Sequence, residues 1–332
     1  MTQHSGQFER VKGLFSSAYE AGQAVGARIN TTPKGNCRVH VEGDKGRNFA
    51  GSIRIHSDFR GGTVFNHRTR MCASWRDDAG RKLTYEERRK ANIDWAVQKA
   101  KKAEKERQDA IEGAYTASLI FKSCRPCTDH PYLRKKHITP TSTMYEIDAR
   151  SVEIIIRDRG IRADVGSLYH CCMKGKLLVI PIMKKGALCS LQFITAEGKK
   201  QFMKTGSVGS AYWLSRPLEA YRLHDVIGIA EGVATARSIE VVEGTPCVAS
   251  LSSGNLKNTA IAIRELFPDS NILILSDVGN GEGDAVNAGR SIGAPVAKPF
   301  FTDEIIRDFK IVTGSKDNPT DWNDYCIATG RI

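Results

Sequence analysis

Val226-Ile227-Gly228-Ile229-Ala230-Glu231-Gly232-Val233-Ala234-Thr235-Ala236 and Asn271-Ile272-Leu273-Ile274-Leu275-Ser276-Asp277 each carry a short apolar run into a carboxylate. Runs of this length, bounded by Gly or polar residues, suit strands buried on both faces of a parallel sheet. Each carboxylate then stands at a strand's carboxyl end, where open α/β sheets bind ligands. Two acids brought to one sheet edge can share a hard divalent cation, Mg²⁺ or Mn²⁺, because such ions take oxygen ligands and keep waters and phosphates in their shell.

Outward from these runs, strand and helix alternate to the end of the chain. Strands are predicted at 226–230, 247–250, 271–275 and 294–298, and helices at 233–241, 257–267, 284–291 and 320–328. That alternation implies a parallel sheet with crossover helices. Asp321 and Asp324 lie three apart, so both can project from one side of the last helix's first turn. Thr320 or Asp321 can cap it.

Upstream, Leu177–Ile182 and Leu188–Ile194 flank Lys184-Lys185-Gly186 and read as a hairpin. A second turn at 196–200 leads into Gln201–Ser207. Lys176, Lys184, Lys185, Lys199, Lys200 and Lys204 sit in or beside these turns, where lysines can serve phosphate binding or simply solubility. A charged helix is expected from Leu83 to Ala117, then the loop Cys124-Arg125-Pro126-Cys127 and the basic cluster His130–Lys136.

The amino-terminal region divides in two. Phe8, Val11, Phe15 and Ala18 recur at helical spacing and predict a helix from Gln7 to Val25. Residues 36–41 and 51–56 alternate in the strand manner, and 60–66 reads as a turn and another strand, together a small β unit. It carries Arg38, Lys45, Arg47, Arg54, Arg60, Arg68 and Arg70 among His40, His56, Phe59, Phe65 and His67. Basic side chains interleaved with aromatics suit single-stranded nucleic acid; an ordinary basic meander with a Phe-filled core is the alternative. Cys37 and His40 make one ligand-like pair, but a structural zinc needs four ligands. The isolated Cys124/Cys127 pair lacks a partner pair too, so zinc is not expected.

The totals agree with two or three domains in 332 residues. Nine cysteines without a regular framework point to reduced thiols and a cytoplasmic setting. No apolar run reaches the ~20 residues of a membrane span. A net charge of +12 points to a polyanionic partner, nucleic acid foremost.

The carboxyl-terminal unit resembles the Toprim domain of bacterial-type primases, topoisomerases and some nucleases. The matching pieces are Glu231-Gly232, Asp277 and the late pair Asp321/Asp324. The run from Lys174 to Ser207 resembles the basic subdomain preceding Toprim in primases, and HPYLRKK (130–136) and DWND (321–324) look like motifs of phage and plasmid primases. The resemblance covers residues 120–332. Together with the patterns read upstream of it, it gives an α/β fold in four parts: an amino-terminal basic β-rich unit (1–80), a charged helical connector (81–150), a small basic α+β primase-like subdomain (151–220) and a Toprim-type parallel sheet with flanking helices (221–332).

The same resemblance implies a DNA primase, synthesising short RNA primers on single-stranded DNA from ribonucleoside triphosphates. Glu231, Asp277, Asp321 and Asp324 would be catalytic, with Glu231, Asp277, Asp284 and Asp321 holding Mg²⁺ or Mn²⁺. The six lysines above, with Arg54, Arg60 and Arg68, would bind template and nucleotide. This chain departs from the family at Asp277-Val278-Gly279, where Asp-x-Asp is usual, and at Thr235, where a further acid is usual. Asn280, Glu282 and Asp284 stand near enough in sequence to refill the shell. The departures leave two alternatives open: a degenerate primase that binds single strands as a replication accessory protein, and a Toprim nuclease. No G-x-x-x-x-G-K-[ST] loop is present, so unwinding would fall to a partner helicase.

Overall fold

The structure is a computed structural model that describes residues 8–30, 33, 35–45, 49–56, 60–76, 84–158, 173–203, 208–279 and 281–332, without the side chains of 87, 88 and 91. Lys204, Arg47, Phe59 and Asn280 lie outside the described residues. The chain forms two compact units, Met1–Lys105 and Glu106–Ile332.

The first unit is a six-stranded sheet in the order β1-β6-β5-β4-β3-β2. Its strands are β1 (Glu9–Arg10), β2 (Ala27–Arg28), β3 (Cys37–Val41), β4 (Gly51–Ile55), β5 (Gly61–Asn66) and β6 (Met71–Arg76). Helix α1 (Ala18–Ala24) packs Ala18, Ala21 and the following Val25 on Val41, Ile53, Val64, Ala73 and Trp75. The helix expected from Gln7 to Val25 is therefore only its last part. Glu9 and Val11 donate their N–H groups to the carbonyls of Arg70 and Cys72 at 2.8 and 2.9 Å, so this stretch pairs with the sheet. Gly13, at φ 113°, interrupts the run, and Ser17 caps α1 by accepting from the Glu20 N–H.

Helix α2 (Tyr85–Phe121) crosses from one unit into the other. It outruns the expected end at Ala117 because Ala117 and Ile120 are fully buried against Leu177, Val179 and Phe193.

The second unit holds two sheets. One is ordered β11-β10-β9-β8-β7 from β7 (Arg125–Pro126), β8 (Tyr145–Asp148), β9 (Lys176–Lys184), β10 (Ala187–Ile194) and β11 (Lys200–Phe202). Helices α3 (Pro131–Lys135) and α4 (Ala149–Asp158) lie along its chain path. The β9–β10 hairpin forms as its sequence predicts, with Lys185 (φ 51°) and Gly186 (φ 78°) both in the left-handed region that a tight two-residue turn demands.

The other sheet is ordered β12-β14-β13-β15-β16: β12 (Trp213–Leu214), β13 (Val226–Ala230), β14 (Cys247–Ala249), β15 (Asn271–Leu275) and β16 (Val296–Ala297). All pairings but that of β12 are parallel. Helices α5 (Leu218–Tyr221), α6 (Val233–Glu243), α7 (Leu256–Leu266), α8 (Glu282–Ile292), α9 (Asp303–Thr313) and α10 (Trp322–Ala328) complete it. Gly228 is required in β13, since a Cβ there would meet Cys247 Sγ at 2.6 Å. This is the mixed α/β architecture expected of the carboxyl-terminal region; α9 and β12 carried no clear sequence signal.

The two sheets of this unit share one core. Tyr132, Leu133, Met144, Leu178, Ile180 and Ile194 pack in the same cluster as Ala230, Val233, Ala236 and Leu275. That shared core brings the basic hairpin sheet beside the acids of the parallel sheet.

Candidate active site

Strand order sets the site. β13 lies between β14 and β15, so the chain goes to one side of β13 and then crosses to the other. A ligand crevice opens at such a reversal, beyond the carboxyl ends of the two diverging strands. Ala230 and Leu275 are direct neighbours in register, so Glu231 and Asp277 leave adjacent strands at that edge.

Each acid is held by local structure. The Glu231 carbonyl accepts from the Leu251 N–H at 2.8 Å, and its carboxylate accepts from the Ser253 N–H. Gly281, at φ 100°, brings the loop before α8 close: a Cβ there would lie 3.3 Å from Glu231 Oε2. The loop after β15 is pinned by the Val278 N–H, which donates to Thr320 O at 2.7 Å and so ties Asp277 to the start of α10. Asp321 caps α10, accepting from the Asp324 N–H at 2.8 Å. Asp324 accepts from the Thr320 N–H at 3.0 Å and faces the Lys136 ammonium at 3.4 Å.

The charges act on one another. Burial pushes Asp277 up to about 7, aided by the carboxylates of Asp321, Glu231 and Asp324 and opposed by Lys200. Burial also raises Glu231, against Lys200 and the Ser253 N–H, and raises Asp321, against Lys136. Lys200 is lowered by burial of its ammonium and by Lys136 nearby, with Asp321, Glu231 and Asp277 pulling the other way. Its ammonium stands 5.8 Å from the centre of the Tyr132 ring. For Lys136 burial opposes the charge, but Asp321 and Asp324 outweigh it and hold the ammonium above its ordinary range.

Asp277 Oδ1 is buried and has no hydrogen-bond partner in the described structure. An unpaired buried acceptor costs roughly 1–3 kcal/mol, more for a charged group, and calls for a specific explanation. Among the described residues no three His, Cys, Asp or Glu side chains form a set that could hold a metal ion as they stand. Mg²⁺ needs only one or two protein carboxylates when waters and phosphates fill the rest of its shell. Glu231 and the orphaned Asp277 fit that pattern; Asp321 and Asp324 are already engaged as cap and ion-pair partner.

The other expected residues fall elsewhere. Asp284 is exposed in the first turn of α8, where its charge acts on Glu231, and Glu282 pairs with Lys298 at 2.7 Å. Lys176 pairs with Glu146 at 2.9 Å. Lys185 is at the hairpin tip, and Lys184 and Lys199 flank the two turns. Arg68, in the first unit, is bonded to Asp44 at 2.7 Å. Arg54 lies within β4, and Arg60 immediately precedes β5 there. The Cys124 and Cys127 thiols are pushed up by burial, to about 12 and about 11, and Cys124 Sγ donates to Ile120 O at 3.4 Å. Lys136 belongs to the site although only its basic neighbourhood was legible; a lysine directly after a short Pro-opened helix carries no mark of its partner 188 residues on.

Residues 226–331 match the sequence profile of the Toprim domain. Over 277 residues, 80% of this chain and 24% of that protein, the sequence is 26% identical to DNA primase TraC of Escherichia coli. A second DNA primase TraC of Escherichia coli is 26% identical over 280 residues, 80% of this chain and 17% of that protein. The chain thus spans about a quarter or less of the length of these curated relatives. Among solved structures, the Aquifex aeolicus primase with its zinc-binding and RNA polymerase domains aligns over 91% of this chain and 77% of that one, at 12% identity and a TM-score of 0.44. The carboxyl-terminal region is Toprim-like, and four fifths of the chain is similar to a segment of a DNA primase.

Proposed function

We propose that this chain is a DNA primase, joining ribonucleotides into a short primer on a single-stranded DNA template. The observation that carries the reading is Asp277: a buried carboxylate oxygen without a partner, beside Glu231 at the strand reversal and facing Lys200. Glu231 and Asp277 would hold Mg²⁺ or Mn²⁺, which when bound supplies charge neutralisation at the triphosphate and at the attacking and leaving oxygens. Lys200 sits where it can take the nucleotide's phosphates, and its lowered proton affinity is restored as phosphate charge arrives. Lys136 offsets part of the burial of Asp321 and holds Asp324 in place. Lys184, Lys185 and Lys199 extend the basic edge toward the template, with affinity that falls as salt rises.

Primer synthesis from labelled ribonucleoside triphosphates on single-stranded DNA, with Mg²⁺ or Mn²⁺, tests the reading. Product from the wild type and none from Glu231→Ala or Lys200→Ala supports it. Absence of product at either metal, with or without a replicative helicase, removes it.

A second reading has its own support. Gly279 occupies the place of the usual second acid, at φ 88° and with open space around its Cβ position. The backbone has taken a glycine conformation there, which suits an accessory protein that binds single strands without polymerising. On that reading Glu231→Ala keeps function and Lys200→Ala loses it.

A further inference from the structure

The sheet of the first unit has two unlike faces. Alternation along each strand sends Ile53, Val64 and Ala73 to the face covered by α1. It sends Arg38, Ser52, Phe65 and Cys72 to the other, and the pairings place these four in one row across β3, β4, β5 and β6. Arg54, Thr63 and Ser74 make the next row.

This second face is built. Thr63 and Ser74 share a hydroxyl hydrogen bond of 2.9 Å, and Arg10 donates to Ser74 Oγ at 3.0 Å. The Arg54 guanidinium lies 5.8 Å from the centre of the Phe65 ring. Phe8 meets Phe65 and His67 edge-on at 5.1 and 5.3 Å. His67 bonds Ser52 Oγ at 2.8 Å, and burial together with the Arg38 charge lowers its proton affinity, so its ring is a neutral aromatic surface. Neither Phe8 nor Phe65 is buried in the hydrophobic cluster under α1; both are half-exposed.

We infer that this face is a stacking platform for single-stranded nucleic acid, with Phe8 and Phe65 taking bases and Arg38 and Arg54 taking the flanking phosphates. Basic side chains neutralise the backbone, and aromatic faces accept any base, so recognition is tolerant of sequence. Duplex is disfavoured because its bases are stacked on each other. The assignment does not depend on catalysis by the second unit. It also separates arginines that sequence alone groups together: Arg68 is excluded, since Asp44 holds it.

The test uses the full chain and oligonucleotides of dT and U carrying 5-iodo-substituted pyrimidines. Photocrosslinks to Phe8 or Phe65 are expected, and crosslinks confined to residues after 105 overturn the assignment. Fluorescence anisotropy supplies the second measurement. Arg38→Glu/Arg54→Glu, both exposed and free of folding risk in the core, is expected to weaken single-strand binding about tenfold or more at physiological salt. Phe65→Leu is expected to weaken it severalfold while keeping the salt dependence. Wild-type affinity in both variants overturns the assignment, whether or not primers are made.

Discussion

The Lys136 ammonium stands 3.4 Å from Asp324 Oδ1, joining the end of α3 to the first turn of α10 across 188 residues. Asn323 secures the same junction from the other side, donating to Lys136 O at 2.7 Å and Ser238 Oγ at 2.8 Å. The basic sheet and the acidic crevice are therefore one mechanical assembly.

Lys136→Ala should cost about 1–3 kcal/mol of stability, because the pair is largely withdrawn from water and Asp324 would lose its charged partner. Lys136→Arg should recover much of it. Urea unfolding of the three proteins gives the comparison, and equal midpoints would show that the pair is a bystander.

Asp277 gives a pH signature. Its proton affinity is higher folded than unfolded, so the folded state holds a proton that the unfolded chain releases between about pH 4 and about pH 7. Stability should fall as pH rises through that window, and Asp277→Asn should flatten the fall. Mn²⁺ should stabilise the wild type above pH 7 and leave Asp277→Asn unmoved. Thermal unfolding across pH, with and without Mn²⁺, measures both effects.

Asp44 behaves in the opposite sense. It accepts from the N–H groups of Val41 and Ala50 at 2.8 and 3.0 Å and from Arg68, and these hold its carboxyl at about 2. Its folded-state pKa is depressed, so its contribution is present above the unfolded value near 4 and is lost as pH falls toward 2. Asp44→Asn should lower the stability of the first unit at neutral pH and reduce its acid sensitivity. Arg68→Ala should share part of that loss and leave single-strand affinity close to wild type, as circular dichroism and anisotropy would show.

Gly279→Asp recreates the Asp-x-Asp spacing. At φ 88° a side chain is strained, and the change should destabilise by about 1 kcal/mol. Mn²⁺ affinity should not improve. Tighter Mn²⁺ binding in calorimetry would mean that the loop readily readmits the missing acid.

Much of the fold was legible where periodicity is local. The runs 226–230 and 271–275 became strands at the expected bounds, and the hairpin around Lys185-Gly186 formed with somewhat longer strands, because burial on both faces and a two-residue turn each leave a mark within a few residues. Phe8 to Val25 misled for a related reason: Phe8, Val11 and Phe15 satisfy a helical spacing, yet the edge of β6 offers their backbone a pairing partner. Local pattern cannot weigh a strand that lies sixty residues away.

The sequence by itself determined the alternation of strand and helix, the delivery of Glu231 and Asp277 to strand ends, and the concentration of Arg among aromatics near the amino terminus. Tertiary structure alone decided that β13 and β15 are neighbours, that Lys136 and Lys200 face the acids, and that Arg68 belongs to Asp44 while Arg54 lies over Phe65. The physical reason is range. Which side chains avoid water is written in the spacing of apolar residues, whereas sheet order and charge pairing follow from how separate buried faces close into a common core.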